Sequence, residues 1–215
     1  MKMNRKQFLW LLSIILFFHF LFGCDRPKLT GVGSDKIDTS QDPVQTFYRS
    51  DEPIIREFKN GHFTITPVAE YKISGMVVGK ETYSSDWEGK ISPVDLAIVW
   101  GRLAEPEYDR FITYSQRNRW YFYKYKQESP FDNSYIISHS GNHHIIPANE
   151  NIHEAIKTIK KKDEVILEGF LVNVKGTYKN QPVTWNTSLS RTDTGNGSCE
   201  LFYVSKARID TKVYE

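Results

Sequence analysis

The sequence predicts a mainly β fold, of the β-rich α+β class. Three observations predict it. Aromatic residues make up 14% of the chain and fall largely into alternating patterns, as in Tyr71-Lys-Ile-Ser-Gly-Met-Val-Val-Gly79 and Asn118-Arg-Trp-Tyr-Phe-Tyr-Lys-Tyr125. That is the period-2 signature of half-buried strands. Glycines stand inside or at the end of such runs, at Gly75 and Gly79, where a strand can bend or bulge. One amphipathic helix then runs directly into an Asp-x-Val-x-Leu-x-Gly strand, Asp163 to Gly169. About six strands with a helix between them fit a small curved sheet or a barrel of the oligosaccharide/oligonucleotide-binding (OB) or SH3-like kind. A non-barrel α+β sheet is the alternative.

In chain order, Met1 to Gln7 carries Lys2, Arg5 and Lys6 and no acid, and Phe8 to Gly23 is apolar except for Ser13 and His19. A basic stretch before an apolar one is the pattern of an export signal. The apolar run is shorter than the about 20 residues of a spanning helix. It ends in Leu21-Phe22-Gly23-Cys24, which resembles a bacterial lipobox. That resemblance implies cleavage before Cys24 and a lipid on it; an uncleaved N-terminal anchor and a plain cleaved signal remain open. Asp25 resembles an inner-membrane retention signal. Residues 1–23 are thus read as signal peptide or membrane anchor, 24–53 as a flexible polar linker, and 54–210 as one β-rich domain.

The chain has 28 Lys and Arg against 26 Asp and Glu, and residues 1–23 remove three cations and no acid, leaving 25 against 26. A near-neutral domain lacks the basic footprint of a nucleic-acid binder, so nucleic acid is not expected as a partner. Cys24 and Cys199 are the two cysteines; with Cys24 lipidated there is no disulfide framework.

Within the domain, Phe63 to Pro67 predicts a short strand ended by its proline, and Tyr71 to Gly79 a second one. Ser92-Pro-Val-Asp95 reads as a helix start, giving a short helix over about 93–100 stopped by Gly101. Trp100, Val94 and Ile98 are expected to face the core. Asn118 to Tyr125 is the most aromatic strand, Ser129 to Asn133 a turn, and Tyr135 to His139 a strand. Asn151 with Glu154 matches a capping arrangement. Ile152, Ala155, Ile156 and Ile159 make one apolar stripe, so a helix is placed over about 151–161. Val165–Val172, Pro182–Ser188 and Glu200–Ile209 are further strands, with a polar loop at Arg191–Ser198.

Several segments together resemble an uncharacterised bacterial family of exported or membrane-anchored proteins. They are Ser92-Pro-Val-Asp-Leu-Ala97, His139-Ser-x-Asn142-x-His144, Glu168-Gly-x-Leu-Val172 and Ser188-Leu-x-Arg191-x-Asp193-Thr-Gly-x-Gly197 with Cys199-Glu200-Leu201. The resemblance implies architecture and an envelope location, but no reaction.

The chemistry concentrates in Ser138–Asn149, which holds three of the six histidines. On a strand, His139 and His143 lie about 13 Å apart at ~3.3 Å per residue, and His144 points the other way, so no metal is assigned. Hydrogen-bonded loop histidines or a ligand pocket using His139 or His144 fit better. No cofactor is expected. The ligand-binding candidates are His139, Asn142, His144, Arg119 and Arg191, the arginines because a guanidinium can pair with a carboxylate or phosphate. The reading that follows is a non-catalytic, membrane-anchored envelope module, its domain on the periplasmic or extracellular side, with the inner membrane favoured. It would bind a protein partner or envelope polymer. The alternative is a periplasmic hydrolase using His139 and His144 with Asp95 or Asp193, which requires those side chains to converge in one pocket.

The anchor has a direct test. Intact mass of the protein from detergent-solubilised bacterial membranes should show loss of residues 1–23 and a gain of diacyl or triacyl mass, both absent in Cys24→Ala. A full-length unmodified mass would contradict lipidation.

Overall fold

The computed structural model describes residues 26–49, 52–190, 192–195 and 197–215. The signal segment, Cys24 and Arg191 lie outside the described residues. Among the described residues no helix is long and apolar enough to cross a membrane.

Twelve strands are described: β1 (Gly31–Val32), β2 (Val44–Phe47), β3 (Ile54–Phe58), β4 (Gly61–Thr82), β5 (Val94–Val99), β6 (Ile112–Arg117), β7 (Trp120–Tyr125), β8 (Ser140–Pro147), β9 (Glu164–Tyr178), β10 (Gln181–Asn186), β11 (Glu200–Ile209) and β12 (Lys212–Tyr214). The helices are α1 (Trp87–Ile91), α2 (Asn133–Ser138) and α3 (Glu150–Thr158), with 3₁₀ turns at Gly101–Ala104 and Pro106–Phe111.

Five strands close a ring. β4 pairs β5, β5 pairs β8, β8 pairs β11, β11 pairs β9, and β9 returns to β4. Only the β8–β11 pairing of this ring is parallel; the other four are antiparallel. Around the ring, the first barrel strand meets the second, then the third, fifth, fourth and first again, with α3 joining the third to the fourth. That connectivity is the OB arrangement among the expected barrels. Closure removes the open edges that a curved sheet would otherwise expose.

The core follows the predicted patterns. On β4, Phe63, Ile65, Ala69, Tyr71 and Ile73 are buried at period 2. On α3, Ile152, Ala155 and Ile156, followed by Ile159, are buried against the barrel cluster that includes Leu96, Ile98, Leu167 and Phe202. Lys80 closes the helix end by donating from Nζ to the carbonyls of Ile156, Lys157 and Ile159, a cation on the carbonyl pole. At Gly169 the β9–β11 seam is so close that a Cβ would lie 2.0 Å from the Tyr203 carbonyl oxygen, so only glycine fits.

Five expectations are corrected. Residues 94–99 form β5 rather than a helix, and all six are buried. One face lies in the barrel and the other beneath the β6–β7 hairpin, whose side has its own cluster of Met76, Val78, Ala97, Val99 and Ile112. Double burial erases the alternation that would have marked a strand. The short helix nearby is α1, capped by Asp86, whose side chain accepts from the Gly89 N–H. Residues 133–138 are helical rather than a strand over 135–139, because Asp132 accepts from the Tyr135 N–H as an N-cap. Pro67 does not end a strand: it sits where β4 shifts register against β9, a bulge that tolerates the missing N–H. The cap of α3 is Asn149, not Asn151, and the helix ends at Thr158; Asn151 instead bonds the Lys28 backbone and the Glu215 carbonyl.

The segment expected as a flexible linker is ordered as well. Residues 26–49 run along the domain instead of hanging free. β1 pairs β12, β2 pairs β4, Ile37 is buried, and Asp42 accepts from the Trp100 indole at 3.0 Å. Added strands gain backbone hydrogen bonds, which composition alone does not register.

Candidate functional site

The most polar buried region lies on the outer face of β5 and β8. Asp95 of β5 stands opposite His144 of β8 in the ladder. Asp95 is 1% exposed and His144 4%. A buried carboxylate needs a cationic partner, and neither neighbouring strand supplies a permanent one at that position. It comes from the hairpin between β6 and β7, where Arg117 pairs with Trp120 and leaves Asn118-Arg119 as a two-residue turn. Both turn residues have positive φ, 53° and 69°, the geometry of the twisted hairpin turn. Asn fills such a position readily; arginine does so with strain.

The strained turn aims Arg119 inward. Its Nη1 donates to Asp95 Oδ1 at 2.7 Å and to the Ser92 carbonyl at 2.9 Å. Its backbone N–H donates to the Tyr83 hydroxyl at 2.9 Å. The guanidinium carbon lies 3.8 Å from the Tyr83 ring centroid and 5.3 Å from that of Trp185, so the cation rests against two aromatic side chains. Asn142 ties the hairpin down again: its Nδ2 donates to the Arg119 carbonyl, and its Oδ1 accepts from Gln116. His144 Nδ1 lies 2.9 Å from Asp95 Oδ1, but out of line for a hydrogen bond, and its ring centroid is 4.8 Å from that of Trp185.

Arg119, His144 and Trp185, with Glu88, Trp120 and others, line a cleft of about 460 Å³. A smaller neighbouring cavity of about 270 Å³ shares Trp120 and Cys199 with it and adds Asn142 and Asp193. Trp120, 43% exposed, stands on the rim of both. Glu88, on α1, lies 3.9 Å from Arg119 Nε. Desolvation raises its pKa above the ordinary value, against the opposing pull of Arg119.

The sequence-predicted residues divide. Arg119, Asn142, His144 and Asp95 come together here. His139 does not: it is the C-cap of α2, stacks on Tyr135 with centroids 3.9 Å apart, and shares Nδ1 with the Tyr135 carbonyl and Ser138 hydroxyl. It stands before the start of β8 and lines neither cavity. Asp193 is exposed and accepts from Ser188 at 2.7 Å, stapling its own loop. The constellation of both histidines with an acid, required for the hydrolase alternative, is therefore not assembled. Burial pushes the Cys199 thiol up to about 12, with the Asn142 amide only partly opposing, so the group is an un-ionised thiol and a poor nucleophile.

Glu88, Tyr83 and Trp185 escaped sequence reasoning. Nothing local marks them, since each reaches the site from a different part of the fold: Glu88 from α1, Tyr83 from the segment after β4 and Trp185 from β10. Elsewhere, Glu150, His153 and Glu154 bring ligand-type atoms within 4.8 Å of one another at the start of α3, but Lys157 already holds Glu154 at 2.6 Å.

No family model, curated protein or solved structure matches the chain.

His143 points the opposite way from His144. It is fully buried, with Nε2 3.2 Å from the Tyr71 hydroxyl. Desolvation, reinforced by the neighbouring His144, drives its pKa from 6.5 down to about 3. Between those values the unfolded chain takes up a proton that the folded chain refuses, so stability is complete above 6.5 and falls as pH drops. In urea titrations His143→Gln should lose less stability than the parent between pH 7 and about pH 4.5, by roughly 2 kcal/mol. Equal losses would show that His143 protonates in the folded state.

Proposed function

We propose that this protein is a non-catalytic binding module of the bacterial cell envelope. In this reading it is anchored through its N-terminal segment, by a lipid on Cys24 or by the apolar segment itself. Its domain faces the periplasm or the outer side, with the inner membrane favoured, and it holds a segment of an envelope polymer. The basic-apolar N-terminus, the Leu21–Cys24 motif and the similarity of the later motifs to an exported bacterial family support the location.

The observation that carries the binding reading is the cleft on the β5–β8 face. Its lining includes Arg119, whose guanidinium contacts the rings of Tyr83 and Trp185, and its rim is the exposed Trp120. Flat aromatic faces beside fixed polar groups suit sugar rings, whose C–H faces stack while their hydroxyls bond. The same face serves ligands in OB barrels generally. A nucleic-acid strand fits less well: among the described residues Arg119 is the one permanent cation on this wall, and a phosphate backbone needs a row of them. A protein partner in the same cleft is the other occupant consistent with the location.

Tryptophan fluorescence of the full chain in detergent, titrated with solubilised envelope glycan fragments, should change saturably. Trp120→Ala should weaken that binding about tenfold, the worth of one aromatic stack, at an unchanged unfolding midpoint. No saturable change with any fraction, or equal affinity for the variant, would contradict the reading.

A further inference from the structure

The inference concerns what the cleft reads, and it rests on the binding reading above. Arg119 uses one nitrogen for the protein: Nη1 serves both Asp95 and the Ser92 carbonyl. The other two, Nε and Nη2, are buried and have no hydrogen-bond partner among the described residues. Unmade bonds on a buried cation are costly. Nε and Nη2 form one side edge of the planar guanidinium, with two N–H groups in parallel. That edge matches the two oxygens of a carboxylate or phosphate. Tyr83 and Trp185 fix the plane, and the left-handed turn at Arg119 fixes its origin, so the direction of the edge is set before any ligand arrives.

Glu88 has the nearest carboxylate recorded at this edge, 3.9 Å from Nε. That is beyond hydrogen-bond distance, and its side chain is 38% exposed. It stands beside the fork without filling it.

We propose that the fork of Arg119 is an acid-sugar subsite: it takes the carboxylate of a hexuronate-type residue in an envelope glycan, and Glu88 swings outward as that carboxylate enters. A sugar acid accounts for the surroundings better than a phosphate does. Asp95 and Glu88 flank the single guanidinium, so a singly charged planar group is tolerated where a more highly charged tetrahedral one is repelled.

The test is calorimetric titration of the full chain in detergent with a tetragalacturonate and with its methyl ester. The parent should bind the acid at least about tenfold tighter than the ester, as expected of a charge-assisted bidentate contact. Arg119→Lys keeps the charge but not the fork, and should abolish that preference. Should Arg119→Lys fail to fold, Glu88→Gln carries the test: removing the competing charge should widen the acid-over-ester ratio about threefold. Equal affinity of the parent for acid and ester would overturn the subsite while leaving the cleft reading intact. Binding of neither sugar, or Arg119-dependent binding of a glutamate-rich peptide in their place, would overturn the sugar assignment. The Trp120→Ala titration with envelope fragments then decides the cleft reading separately.

Discussion

A carboxylate buried near the start of a barrel strand sets the terms for this molecule's surface. Asp95 is almost wholly removed from water. An unpaired charge there would cost several kcal/mol. His144 across the ladder is a titratable neighbour, not a permanent counter-charge. The partner therefore has to be delivered from outside the ring, and the β6–β7 hairpin delivers it. That requirement explains why an arginine occupies a left-handed turn position, and why Asn142 and Tyr83 hold the hairpin through its Gln116 and Arg119. The same arrangement leaves a cleft whose back wall is rigid and charged.

The barrel makes this possible. Closing β4, β5, β8, β11 and β9 into a ring gives β5 one face inside. The hairpin and α2 cover much of the other, with their own apolar cluster around Ala97, Val99 and Ile136. Below, α3 contributes Ile152, Ile156 and Ile159 to the barrel core. Two histidines in succession on β8 then meet opposite fates. His143 turns inward against Tyr71 and stays neutral; His144 turns outward to Asp95 and Trp185. The alternation of a strand separates them, as the spacing had implied.

What was legible in the sequence was what local periodicity encodes. The stripe on α3, the alternation of β4 and the aromatic β7 are readable because each turns one side toward a core, β7 through the half-buried Tyr121 and Tyr123. β5 reads as a helix because burial on both sides removes alternation, leaving Ser92-Pro93 to mimic a helix start. The helix over 133–138 was hidden because its cap, Asp132, looked like part of a turn. Residues 26–49 were read as a tether because backbone pairing leaves no compositional trace. At the site, Arg119, Asn142, His144 and Asp95 were each singled out, but their union depended on a hairpin crossing the barrel. Glu88, Tyr83 and Trp185 converge only through tertiary structure, and His139, equally prominent in the sequence, is spent on packing beneath Trp100 and Tyr135.

The central claim is that Asp95 and Arg119 are one buried unit on which the cleft is built, and a double-mutant cycle on stability tests it most directly. Urea unfolding of Asp95→Ala, which strands the guanidinium, should show a loss of about 3–5 kcal/mol. The double variant Asp95→Ala/Arg119→Ala should lose less than the two single losses combined, by about 2 kcal/mol or more. Losses that add to within about 0.5 kcal/mol would mean that the two side chains contribute independently, and the account of the cleft as a consequence of their pairing would be wrong.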